Sequence, residues 1–212
     1  IDTAIGSMRE LIDHGTKNQR LTASFYTHLL YDDRFKSRIA KDVILGYDGD
    51  LELAACFMGA LTCTLSGDID RLFEKREGVR YGYYEIRKPV TPRLEDFYEG
   101  RQEAEALYDN LGKILAQLPK KGVTYDPCIF PWYQVSLAPS QVICQMALIA
   151  YVLQDEEKIT WCGERLKDVT TDGYGAYRSR LINLLLYEPS NARQREILIG
   201  YVGNAEEMTS NK

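Results

Sequence analysis

Residues 93–118 read RLEDFYEGRQEAEALYDNLGKILAQL, and this stretch sets the expected fold. Leu94, Phe97, Arg101, Ala104, Tyr108, Leu111, Leu115 and Leu118 recur at alternating steps of three and four. That spacing returns one residue per turn to a single helix face. Such a seam packs against a neighbouring helix, and Arg101 is its one polar interruption. The spacing therefore predicts one long helix over 93–118.

On the N-terminal side the same period continues. It predicts helices over 3–14, closed by Gly15, over 17–30, and over 34–45 with Asp33 as N-cap. After the turn cluster 46–50, residues 51–65 are small and apolar on nearly every side, which suits a helix at the centre of a bundle. Ser66-Gly67-Asp68 is expected to end it, with a short charged helix over 69–77 beyond. Residues 78–92 read as an ordered connector, because Gly82 and two prolines disfavour a strand.

On the C-terminal side, residues 119–139 form a second connector rich in proline and aromatics, expected to lack regular structure. Helices are expected over 140–153, 156–167, 174–186 and 191–201. The whole is one all-α domain, 1–212, with N-terminal helices about 3–77 and C-terminal helices about 93–202. About eight or nine helices would pack as antiparallel hairpins.

Composition narrows the function classes. A net charge of −5 works against gripping a polyphosphate, which needs clustered Lys and Arg. It suits a basic protein partner instead. The longest apolar run, 142–153, is too short to span a bilayer, and the expected compartment is the cytoplasm. Cys56, Cys63, Cys128, Cys144 and Cys162 are odd in number and lack C-x-x-C spacing, so reduced structural thiols are expected.

Motifs for chemistry are sparse. His14 and His28 are fourteen residues apart, which disfavours a shared metal, and no metal or cofactor is expected. Asp48, Asp50 and Glu52 mimic a calcium loop, but helix capping explains them better. Arg9 and His14, separated by four residues, resemble the motif of HEPN-type ribonucleases, and give the alternative of an enzyme.

A recognition surface is better supported. Asp96, Glu99 and Glu103 would share one stripe of the 93–118 helix, with no base inside it. Asp155, Glu156 and Glu157 form a second acidic group, where the positive end of a helix dipole also favours them. Trp132 and Tyr133, with connector tyrosines 81, 83 and 84, are rigid aromatic candidates for interface anchors.

Two segments carry a family resemblance. IAKDVILGYDGDLELA (39–54) and SQVICQMALIAYVLQDEEKITWCGERLKDVTTDGYGAYRSRLINLLL (140–186) resemble the all-helical bacterial immunity proteins that neutralise PoNe-type DNase toxins. They cover about a third of the chain. Tyr47 departs from the small polar turn of that family. The resemblance implies an immunity protein that binds a cognate antibacterial toxin, a basic nuclease domain, and covers its active site. Asp96, Glu99, Glu103 and 155–157 would then supply complementary charge, and Trp132 and Tyr133 the buried anchors. A helical scaffold or adaptor is the third expectation.

Overall fold

The computed structural model describes residues 2–29, 33–72, 90–126 and 134–168. Among them are seven α-helices and one small sheet: α1 Asp2–His14, α2 Lys17–His28, α3 Asp33–Leu45, α4 Leu51–Asp70, α5 Arg101–Gln117, β1 Val123–Tyr125, β2 Val135–Leu137, α6 Pro139–Val152 and α7 Glu156–Asp168. The architecture is mostly helical.

Local chemistry places the helix starts. Thr16 and Gln19 cap α2 reciprocally: the Gln19 amide N–H donates to Thr16 Oγ1 at 3.4 Å, and the Thr16 N–H to Gln19 Oε1 at 2.8 Å. Asp50 Oδ1 accepts the Leu53 N–H at 3.0 Å at the head of α4. Asp48 Oδ1 accepts the Asp50 N–H at 3.1 Å. The carboxylates that mimic a calcium loop are thus caps, and Glu52 pairs with Lys17 at 2.6 Å.

Two helices lie at the centre of the core, to which the others also contribute. Every residue of α6 is buried, and α4 buries an unbroken run from Leu53 to Met58. α4 touches α2, α3, α6 and β2, while α6 touches α4, α5 and α7. The two are tied where Gln145 Nε2 donates to Leu61 O at 3.0 Å, giving a buried amide its partner.

Three expectations are corrected here. The helix expected to stop at Ser66-Gly67-Asp68 continues to Asp70, because a mid-helix glycine costs only about 1 kcal/mol and burial of Ile69 and Leu72 outweighs it. The 69–77 helix therefore does not begin as a separate element: 69–70 belong to α4, 71–72 form a turn, and 73–77 lie outside the described residues. The second connector holds a hairpin: β1 and β2 pair antiparallel, with Val123 opposite Leu137.

The third correction bears on the site. Residues 93–118 are not one helix. A 3₁₀ turn, Leu94–Asp96, is followed by irregular chain, and α5 begins only at Arg101. Gly100, with extended backbone, stands at its N-cap. The helices expected over 174–186 and 191–201, most of the 78–92 connector, and Cys128 lie outside the described residues.

Candidate functional site

The break before Arg101 scatters the expected acidic stripe. Asp96 lies in the 3₁₀ turn, Glu99 in the irregular link and Glu103 in the first turn of α5. Nor are they without bases. Arg93 grips Asp96 through Nε at 3.0 Å and Nη2 at 2.7 Å, and those hydrogen bonds hold the Asp96 carboxyl below the usual carboxylate range. Arg38 of α3 pairs with Glu99 at 2.9 Å. The Glu103 carboxylate accepts the Glu99 N–H.

The three carboxylates instead rim a polar cleft of about 660 Å³, where Arg38, Lys41, Asp68 and Arg71 converge. Its cations have evident structural work. Lys41 Nζ donates to Phe97 O at 2.6 Å and stands 4.6 Å from the centre of the Tyr98 ring. Arg71 donates to Asp96 O at 2.5 Å and lies 4.9 Å from the centre of the Phe97 ring. Carbonyls and ring faces both attract cations, so α3 and the end of α4 clasp the 94–99 segment. Burial pushes the Lys41 ammonium below its ordinary pKa.

The second acidic group divides. Asp155 is the N-cap of α7: its Oδ1 accepts the Lys158 N–H at 3.0 Å and its Oδ2 meets Lys158 Nζ at 2.6 Å. Burial raises its carboxyl pKa, but the Lys158 hydrogen bonds outweigh that and hold it below the usual range. Glu156 and Glu157 are exposed in the first turn. Trp132 and Tyr133, and tyrosines 81, 83 and 84, lie outside the described residues.

Arg9 is engaged by Asp42 of α3, while His14 is exposed in the last turn of α1. Burial pushes the Cys56 thiol up to about 11 and the Cys162 thiol up to about 12, so neither is a thiolate at neutral pH. Among the described residues, no group of three or more His, Cys, Asp or Glu is placed to hold a metal ion.

One feature of the surface was not anticipated from the sequence. Between α5 and α7, over α6, runs an apolar groove of about 1070 Å³. Ile143 and Met146 of α6 line its floor; Gly112 and Leu115 stand on the α5 side and Trp161 on the α7 side, and Tyr108 reaches across from α5 to α7, its hydroxyl 3.8 Å from Cys162 Sγ. Tyr108, Leu115, Leu118 and Trp161 are only partly buried, although they pack on the core. Lys158 Nζ lies 5.3 Å from the Tyr108 ring centre and the Arg165 guanidinium 5.2 Å from that of Trp161. The sequence signal was present: the 93–118 seam contains Tyr108, Leu115 and Leu118, which were expected to be covered by a neighbouring helix. Among the described residues, α6 covers only part of that face.

No curated protein and no solved structure matches the chain. A family model matches residues 1–212, and the chain belongs to that family, described as a family of unknown function (DUF5724).

Proposed function

We propose that this protein acts by binding another protein, through the groove between α5, α6 and α7. The observation that carries this reading is that Tyr108, Leu115 and Trp161 stay partly exposed around Ile143 and Met146. Aromatic side chains around a groove are where binding energy concentrates. Glu157, at the groove's edge, keeps its place among the partner-facing residues. Asp96, Glu99 and Glu103 are weaker candidates, because Arg93, Arg38 and the Glu99 backbone already engage them.

The narrower role, an immunity protein that holds a toxin by its active site, rests on the resemblance of 39–54 and 140–186 alone. The picture of stacked antiparallel hairpins belongs with it. It is supported by Arg101 Nη2 donating to Leu153 O at 3.2 Å, which joins the start of α5 to the end of α6.

A second reading is favoured by the polar cleft. Convergence of Arg38, Lys41 and Arg71 with Asp68 and Glu103 also suits a polar ligand or a reaction. The engagement of Lys41 and Arg71 by the 94–99 carbonyls weighs against it. For the ribonuclease alternative at Arg9 and His14, the discriminating assay is RNA cleavage by the protein beside a His14→Ala control.

The test of the main reading is co-expression with the product of the neighbouring gene. A stable complex is expected by size-exclusion chromatography with light scattering, and host survival if that product is toxic. Leu115→Glu combined with Trp161→Ala, shown folded by circular dichroism, should lose both. A variant that still forms the complex would remove the groove from the function.

A further inference from the structure

The groove has a polarity that says what fits it. Arg101 at the start of α5 meets Leu153 at the end of α6, and the three-residue turn 153–155 then leads into α7. Pro139 at the start of α6 lines the groove beside Leu118 and Lys120, just past the end of α5. α5 and α7 therefore run in the same direction on either side of α6. Exposed Asp109 and Glu157 stand at the end of the groove nearer the start of α7, with Lys158 beside them held by Asp155 at 2.6 Å, and exposed Lys120 and Arg165 stand toward the other end. From Glu157 to Arg165 is eight residues, or about 12 Å of helix rise.

We propose that the occupant is an amphipathic α-helix of a partner protein, lying antiparallel to α5 and α7. This rests on the groove being the binding site. An α-helix favours acids in its first turn and bases in its last, because of its own dipole. In the antiparallel orientation, the acidic first turn meets Lys120 and Arg165, and the basic last turn meets Asp109 and Glu157. Reversal brings like charges together at both ends. The apolar stripe, repeating at three and four, lies on Ile143 and Met146 between Leu115 and Trp161, as in other helix-in-groove recognition. The rim charges thus set direction, and the apolar floor supplies affinity.

Two fluorescein-labelled 12-residue peptides, whose first and last turns lie about 13 Å apart, test this against the full chain by fluorescence anisotropy. Both carry Leu at positions 4, 7 and 8, and both are stapled to equal helicity by circular dichroism. One has Glu in its first turn and Lys in its last; the other has these exchanged. The first is expected to bind about tenfold tighter in 50 mM NaCl. Leu115→Glu should weaken it by about tenfold or more, and Arg165→Glu should shrink or invert the preference. Equal affinities unaffected by Arg165→Glu would overturn the proposal. So would failure of both peptides to bind at about 1 mM, which is also the result expected if residues 169–212 of this chain occupy the groove. Should the peptides fail while the groove variants still lose a partner protein, the helical occupant falls and the binding reading stands.

Discussion

Asn110 stands in α5 as a buried amide among leucines. Its Nδ2 donates to Ile44 O at 3.0 Å and to Leu45 O at 2.9 Å, the carbonyls left over where α3 ends. Lys113 Nζ in turn donates to Asn110 Oδ1 at 2.8 Å. Asn110→Leu matches the side chain's size but strands those carbonyls. It is expected to cost about 1–3 kcal/mol in urea unfolding with an unchanged denaturant slope. His28 is held differently. Its ring lies against Gly59 of α4, where an added Cβ would come within 2.8 Å of Cε1. Alanine would favour the helix by about 1 kcal/mol, so the glycine is explained by the space it leaves. Nε2 hydrogen-bonds to Cys56 O at 3.1 Å, and that atom therefore carries the proton. Burial lowers the His28 pKa below 6.5 and the charge of Lys36 adds to this, while the Cys56 hydrogen bond opposes it. Between that lowered value and 6.5 the unfolded chain binds more protons, so stability rises with pH in that window. Its contribution is complete above 6.5 and is lost as pH falls through the folded-state value. The melting temperature should therefore drop between pH 7.5 and 5.5, and drop less in His28→Gln. Equal drops would remove His28 from the acid response.

The segment before α5 shows what holds an element without regular structure. The Phe97 and Tyr98 amides close on Leu94 O, and Lys41 and Arg71 grip the next carbonyls from outside. Lys41→Met removes a charged donor and a ring contact while keeping the buried stem. Amide exchange at Phe97 and Tyr98 should quicken by about tenfold or more, with α6 unaffected. The hairpin depends on Gly122, whose φ of +75° is the left-handed region and whose Cβ would meet Leu137 O at 2.4 Å. Gly122→Ala is expected to cost at least about 1–2 kcal/mol, read as a lowered melting temperature. These two elements are also where the sequence was hardest to read. Leu94, Phe97 and Arg101 keep helical spacing straight through Gly100, so periodicity alone could not show that the chain is held by Lys41 of α3 and by Arg71 just past α4. β1 and β2 have three residues each, too short for alternation to stand out. The starts of α2, α4, α6 and α7 were legible to within a residue, because turn residues before them and the helical period after them agree there. Of the candidate site, the apolar seam was legible. That the described residues leave part of it open was not, because an uncovered seam and a covered one have the same spacing.

At the scale of the molecule the question is whether charge or apolar surface governs association. The chain carries a net −5, yet much of its described acidity is paired within the fold: Asp42 with Arg9, Glu52 with Lys17, Glu99 with Arg38. Exposed pairs of this kind contribute only about 0–1 kcal/mol each to stability. They do, however, cancel the local field that would draw in a basic partner. Two mechanisms then predict different salt responses. An unpaired acidic face steers its partner, and its association rate falls by about 10- to 1000-fold as salt screens the attraction. A groove whose rim carries both signs has little net field to screen, and the apolar contact on Ile143, Met146 and Trp161 does not weaken with salt. Between 50 and 500 mM NaCl, the association rate measured by stopped flow is expected to change by less than about threefold. Glu99→Gln should leave it unaltered, whereas Trp161→Ala should raise the dissociation rate by about tenfold, the usual mark of a lost aromatic anchor. A steep fall of the association rate with salt, further reduced by Glu99→Gln, would return the binding surface to the acids around the cleft and take it away from the groove.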